Sequence, residues 1–151
     1  MDFPFVTVTH SPEETEAVGR ELALAMLSSP SLPPFVALYG DLGVGKTAFT
    51  RGFTSVVAED AKVKSPTFAL VHEYRGRAGT VFHFDMYRIT GEDDLYSIGF
   101  YDYLDREGIC LCEWSENIPF ALPEEYLRVE IEKNDPASPD SRKITLSPMG
   151  F

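Results

Sequence analysis

Eight consecutive residues, Gly40-Asp41-Leu42-Gly43-Val44-Gly45-Lys46-Thr47, complete the pattern G-x-x-x-x-G-K-[ST]. The chemistry of that pattern is phosphate binding. Several backbone N–H groups must converge on the β- and γ-phosphates, and bulky side chains in the turn would obstruct them. Gly43 and Gly45 remove the obstruction and allow unusual dihedrals, while a helix starting near Gly45 aims partial positive charge at the phosphates. Lys46 supplies a cation for the β/γ oxygens. Thr47 supplies a hydroxyl for Mg²⁺, which keeps several waters and takes few protein ligands. The plainer alternative is an ordinary glycine turn ahead of a helix.

Two acidic residues compete for the second metal-side role, in which an Asp or Glu after an apolar strand orients Mg²⁺ and its waters. Asp85 follows Val81-Phe82-His83-Phe84, and Glu113 follows Ile109-Cys110-Leu111-Cys112. An acid at a strand end is commonly just solvated. With a phosphate loop in the same sheet both gain weight, because the carboxyl ends of parallel strands converge on the ligand. Period-two alternation puts His83 and Asp85 on one face, which would let the imidazole support the Asp85 carboxylate, although an isolated histidine there is more often a satisfied buried one.

Other elements must position these groups. Phe35-Val36-Ala37-Leu38-Tyr39 is an uninterrupted apolar run of buried-strand length, and Phe49, Phe53, Val56 and Val57 recur at helical spacing after the loop. Strand, glycine turn and helix therefore follow in the order phosphate binding requires, which argues against the ordinary-turn reading. Val6 and Val8 predict a short extended run. Ser11-Pro12-Glu13-Glu14 predicts a helix start with a hydroxyl cap, after which Val18, Leu22, Ala25 and Met26 face the core. Ser28 to Pro34 breaks that helix. Ser65-Pro66 opens an extended segment through Ala69-Leu70-Val71, and Gly76 to Gly79 reads as a turn into Thr80–Asp85. Short helical pieces begin at Thr90 to Asp94 and break at Gly99, ahead of the strand introduced by Gly108. Leu127, Val129 and Ile131 alternate with charged residues, Ile144 and Leu146 form a shorter matching strand, and with the Pro-, Asp- and Ser-rich stretch Asn134 to Ser141 between them a hairpin that extends the sheet antiparallel is expected. The expected fold class is α/β: a P-loop NTPase-like mixed sheet with a parallel core, a C-terminal antiparallel hairpin and helices on both faces, with residues 1–151 forming a single domain.

Composition narrows the function classes. A chain of 151 residues buries roughly 70% of its unfolded surface, enough for one core without staples. No apolar run approaches the ~20 residues a membrane span needs, and Met1-Asp2-Phe3-Pro4 carries no readable secretory signal, so a cytoplasmic location is expected. Cys110 and Cys112, two apart on a strand, are expected as reduced core residues rather than a disulfide or metal pair. The formal charge of −11 disfavours a protein that grips a phosphate backbone by itself. Lys62 and Lys64 read as a solvated strand entry. If RNA is involved, another protein holds most of it.

Taken in order, Gly40–Thr47, Ser65-Pro66-Thr67-Phe68, His83-Phe84-Asp85-Met86-Tyr87-Arg88 and Cys112-Glu113-Trp114 resemble the signature motifs of the bacterial TsaE family, formerly YjeE. The resemblance spans nearly the whole chain, and it is the order and spacing of the four motifs that make it specific. It implies a small ATPase, using ATP and Mg²⁺, needed for making threonylcarbamoyladenosine in tRNA with the TsaB and TsaD proteins. In that family TsaD, helped by TsaB, performs the transfer, and ATP hydrolysis by the TsaE-like subunit supports repeated turnover. By the same resemblance Lys46, Asp85 and the switch-loop Thr67 are the catalytic candidates, and Thr47 and Glu113 are the metal candidates. The candidate ATP-binding set is Asp41, Leu42, Gly43, Val44, Gly45, Lys46, Thr47 and Ala48 with Ser11 and Trp114. Trp114 could equally be a core side chain closing a strand, and Arg88 either an active-site charge or an anchor to a partner.

Three other classes stand beside this reading. A small-molecule kinase needs a second substrate pocket and usually a basic lid, and no Arg-rich lid segment occurs. A GTP switch needs a guanine-reading Asn-Lys-x-Asp, which is missing. A nucleotide-gated binding module with little hydrolysis remains open. The aromatic segment Tyr96, Phe100, Tyr101 and Tyr103 is either an interface or plain core.

Overall fold

The computed structural model describes residues 1–41, 43–63 and 70–151. The elements run β1 (Phe5–Thr9), α1 (Pro12–Ser28), β2 (Phe35–Tyr39), α2 (Lys46–Val57), β3 (Val71–Arg75), β4 (Thr80–Asp85), α3 (Glu92–Ser97), α4 (Phe100–Leu104), β5 (Ile109–Glu113), β6 (Tyr126–Asp135) and β7 (Ser138–Met149), with a 3₁₀ turn at Ser115–Asn117. All seven strands belong to one sheet, ordered β1-β7-β6-β2-β5-β4-β3. The four central strands β6, β2, β5 and β4 are mutually parallel. β7 joins antiparallel to β6, β1 antiparallel to β7, and β3 antiparallel to β4.

The sheet is covered on both faces, and β2 shows why its sequence is apolar throughout. Val36 and Leu38 point into the cluster beneath α1 and α2, while Phe35 and Ala37 point into the opposite cluster with Phe82, Phe84 and Phe100. A strand buried on both sides has no position left for a polar residue. On the first face the two long helices cross closely through glycine: a Cβ at Gly19 would sit 2.2 Å from the Phe49 carbonyl oxygen, and one at Gly52 would sit 1.9 Å from that of Glu16. On the second face short α3 and α4 hold an aromatic cluster. Phe84 meets Phe100 and Tyr103 edge-on at 5.4 and 5.2 Å.

The segment of four aromatics therefore divides. Phe100 is fully buried and Tyr103 packs on Phe82 and Phe84, whereas Tyr96 is 65% exposed and stacks on Tyr101. One local expectation is corrected: Ala23 rather than Ala25 is the fully buried alanine of α1, because α2 crosses that flank of the helix. The expected antiparallel hairpin forms, and its polar stretch at 134–141 is mostly strand: Asp135 pairs with Ser138 and Lys133 with Arg142, leaving Pro136 and Ala137 as the turn. Pro139 is tolerated there because β1 pairs β7 only from Arg142 to Leu146, so no neighbour needs its missing N–H. Cys110 and Cys112 are free and buried, and burial pushes the Cys110 thiol up to about 12. The segment opened by Ser65-Pro66, together with Lys64, lies outside the described residues.

Candidate active site

Parallel pairing brings three strand ends together. Leu38 and Asp85 both lie in register with Glu113, so the loop after β2 and the acids ending β4 and β5 meet on one edge of the sheet. That edge is locked by backbone: the Met86 N–H donates to the Glu113 carbonyl at 3.0 Å, and Asn117 Nδ2 donates to the Met86 and Tyr87 carbonyls.

The loop itself has the backbone its glycines allow. Gly40, Gly43 and Gly45 have φ of 146°, 76° and 114°, and Gly45 caps α2 without any side-chain acceptor for the first-turn N–H groups. The end of a twelve-residue helix thus presents amides and its dipole to the loop with no acid in its first turn. Lys46 is 5% exposed; its Nζ donates to the Gly40 carbonyl at 2.7 Å and lies 4.0 Å from the centre of the Trp114 ring. Burial lowers its pKa, opposed by the nearby charges of Glu113, Glu116, Asp85 and Asp41.

Trp114 adopts φ 58°, the only non-glycine residue in the left-handed region among the described residues. Such a conformation is strained for a bulky side chain and persists only where its surroundings hold it. Here the reversal at the end of β5 swings the indole over Lys46, and Tyr87 stacks on it at 5.1 Å. Trp114 is therefore beside the loop, half-buried and packed against the second core cluster.

The two acids are held differently. Glu113 is 6% exposed, and its Oε2 lies 2.5 Å from His83 Nε2. A carboxylate only accepts, so Nε2 carries the proton and donates; Nδ1 has no partner among the described residues. His83 is thus a buried histidine satisfied by Glu113, and the support of Asp85 that the alternation would have allowed is not formed. The parallel register sets Glu113 beside Asp85 on β5, within reach of the buried ring, whereas Asp85 turns outward and accepts the Tyr87 N–H at 2.9 Å. Burial raises the pKa of Asp85; that amide lowers it, and Glu113 raises it further.

A cavity of about 430 Å³ opens among these groups, lined by Gly43, Gly45, Lys46, Thr47, Asp85, Tyr87, Arg88, Glu113 and Trp114. Ala48 and Ser11 stand elsewhere, on a smaller cleft across the loop with Gly45 and Arg142; the Ser11 hydroxyl accepts the Glu14 N–H as the cap of α1. Asp41 faces a third cleft, with Glu116 and Arg128. The Val44 side chain is buried in the core, leaving only its backbone at the loop. Leu42 and Thr67 lie outside the described residues. Arg142, missed in the sequence because nothing local marks it, reaches the loop from 98 residues away.

The donor set fits Mg²⁺. The Thr47 hydroxyl and the Glu113 carboxylate are hard oxygen donors, and among the described residues no group of three or more His, Cys, Asp or Glu forms a cage, so phosphate and water would complete the shell.

A mixed sheet with a glycine-rich loop between β2 and α2 and acids closing two neighbouring parallel strands defines a P-loop-like α/β protein. Within that class the family model for threonylcarbamoyl adenosine biosynthesis protein TsaE matches residues 9–144, and the chain belongs to the TsaE family. It is 37% identical over 142 residues to the tRNA threonylcarbamoyladenosine biosynthesis protein TsaE of Bacillus subtilis, covering 94% of this chain and 84% of that protein. It is 42% identical over 111 residues to the TsaE of Haemophilus influenzae, covering 74% and 68%. The crystal structure of Bacillus subtilis YdiB superposes with a TM-score of 0.72 at 30% identity, covering all of this chain and 88% of that one. Among the described residues no helix is long and apolar enough to cross a membrane.

Proposed function

We propose that the chain is a cytoplasmic, Mg²⁺-dependent ATP hydrolase that serves threonylcarbamoyladenosine formation in tRNA together with the TsaB and TsaD proteins. The observation that carries the reading is the convergence of Lys46, Thr47, Asp85 and Glu113 on one cavity beside the N-terminus of α2. Family membership supports the tRNA-modification role. The charge of −11 supports an accessory subunit that leaves RNA to its partners.

In this mechanism Lys46 exchanges the dipole of the Gly40 carbonyl for the negative charge of the β/γ-phosphate oxygens, which attracts the ammonium more strongly. Trp114 keeps its ammonium over the ring face and away from water. Mg²⁺ held through Thr47 and Glu113 would neutralise charge on the phosphate oxygens. Asp85 positions the attacking water, whose oxygen bonds to the γ-phosphorus as the bond to the β-bridging oxygen breaks, giving ADP and phosphate. Thr67 is assigned the sensing of the γ-phosphate, and assembly with TsaB and TsaD is tighter with ATP than with ADP.

Phosphate release from the purified chain, alone and with TsaB, TsaD and tRNA, tests the proposal. Slow release alone and faster release in the mixture are expected. Background release in both leaves a nucleotide-gated binding module, and phosphate appearing on a small molecule instead of in solution makes the chain a kinase.

A further inference from the structure

The guanidinium of Arg142 on β7 joins parts of the chain far apart in sequence. Its Nε donates to the Val44 carbonyl at 2.8 Å, while Nη1 donates to the carbonyls of Pro139 at 2.6 Å and Ser141 at 2.9 Å. Nothing in the site chemistry above uses this side chain, and it pairs with no carboxylate among the described residues. A charged donor committed to carbonyls alone is a brace. Two of those bonds anchor the guanidinium to its own strand, so the third fixes the loop against the sheet.

What it fixes is one peptide plane. The Val44–Gly45 bond is trans, so its C=O and N–H point in opposite directions. Tying the carbonyl to β7 on the outer side of the loop turns the Gly45 N–H inward, toward the cavity that Gly45, Lys46 and Thr47 line. Gly45 sits at φ 114°, where a glycine peptide is otherwise free to flip. A flipped plane would set a carbonyl dipole against a phosphate and withdraw one of the converging amides.

We propose that Arg142 is a positioning residue that presets the phosphate loop for nucleotide by holding the Val44–Gly45 peptide in its amide-inward orientation. The proposal rests on the nucleotide-binding reading above and adds a residue outside the loop to it. Presetting lowers the ordering cost of binding, so its loss appears as weaker affinity.

The test is calorimetric titration of ADP into wild type, R142A, R142M and R142K, beside carbon-13 and nitrogen-15 spectra of the nucleotide-free proteins. R142M retains the aliphatic stem and its packing and loses every donor, so it carries the test if R142A does not fold. R142A and R142M are expected to bind ADP about tenfold more weakly, the loss of one charge-assisted bond, with R142K recovering part of it. The Val44 carbonyl and Gly45 amide resonances should move in R142M and return toward wild type in R142K, without any nucleotide. Wild-type ADP affinity in R142M, or unmoved resonances, overturns the proposal, as does a loss erased by 0.5 M NaCl, which would mark a through-space charge. If wild type itself fails to bind ADP or ATP, the nucleotide reading fails, and the resonances still decide whether Arg142 orients the loop.

Discussion

Asp85 and Glu113 end neighbouring parallel strands in register, yet the chain treats them oppositely. β5 lies between β2 and β4, so Glu113 is enclosed and clamped by a buried histidine; β4 lies toward the sheet edge, so Asp85 remains half-exposed on a turn, held by one amide. The comparison shows how one motif type acquires two environments from sheet position. Under the proposed function the enclosed acid suits a fixed metal-side ligand, and the rim acid suits handling water, which must come and go.

The sharpest way to break that division is Asp85→Asn. It should slow phosphate release by about 1000-fold, near the upper end for losing one transition-state contact, while ATP affinity stays within about threefold. Steady-state kinetics with calorimetry check both numbers, and an equal loss of binding would merge the roles. Next in size, Glu113→Ala should weaken Mg²⁺-dependent ATP binding about 100-fold, with Mg²⁺-free binding little changed. Titrations with and without EDTA decide it. His83→Gln probes the clamp itself: outer-shell partners of metal ligands are worth about 10- to 100-fold in metal affinity, and a Gln amide that still reaches Glu113 should hold the loss near the lower figure. Mg²⁺ titration at fixed ATP reads that loss.

The smallest effect concerns stability. Burial raises the pKa of Asp85, so folding favours its protonated form and the ionised carboxylate is a destabilising presence at neutral pH. The sign follows: relative to Asp85→Asn, wild type is least stable above the folded pKa and loses that deficit as pH falls below the ordinary Asp value of about 3.9. The Asn variant should therefore melt a degree or two higher at pH 7, since the group is half in water, and equal wild type near pH 3. Melting curves at the two values test it.

How much of this was legible follows from how local each feature is. Gly40–Thr47 announced the glycine turn into α2, and Ser11 with Glu14 announced the start of α1, because turn dihedrals and caps are settled by residues within a few positions. The apolar runs at 35–39 and 109–113 announced buried strands for the same reason. The partner of His83 was not legible because two-residue alternation sees along a strand and not across it; Glu113 arrives from thirty residues away through parallel register. The hairpin was legible but not how far its strands run into the polar tip, because that pairing comes from β6 and β7 facing each other, against the preference of Asp, Ser and Pro for turns.

By itself the sequence determined where the glycine loop would turn into a helix, which strands would be buried and which acids would stand at strand ends, since each of these is a short-range consequence of side-chain size, backbone freedom or periodicity. Tertiary structure alone decided which acid is enclosed, which aromatic covers Lys46, how closely Gly19 and Gly52 let two helices approach, and that Arg142 braces Val44. Those outcomes depend on strand order and on distances between residues far apart in the chain, and such distances exist only once the sheet has closed around its two cores.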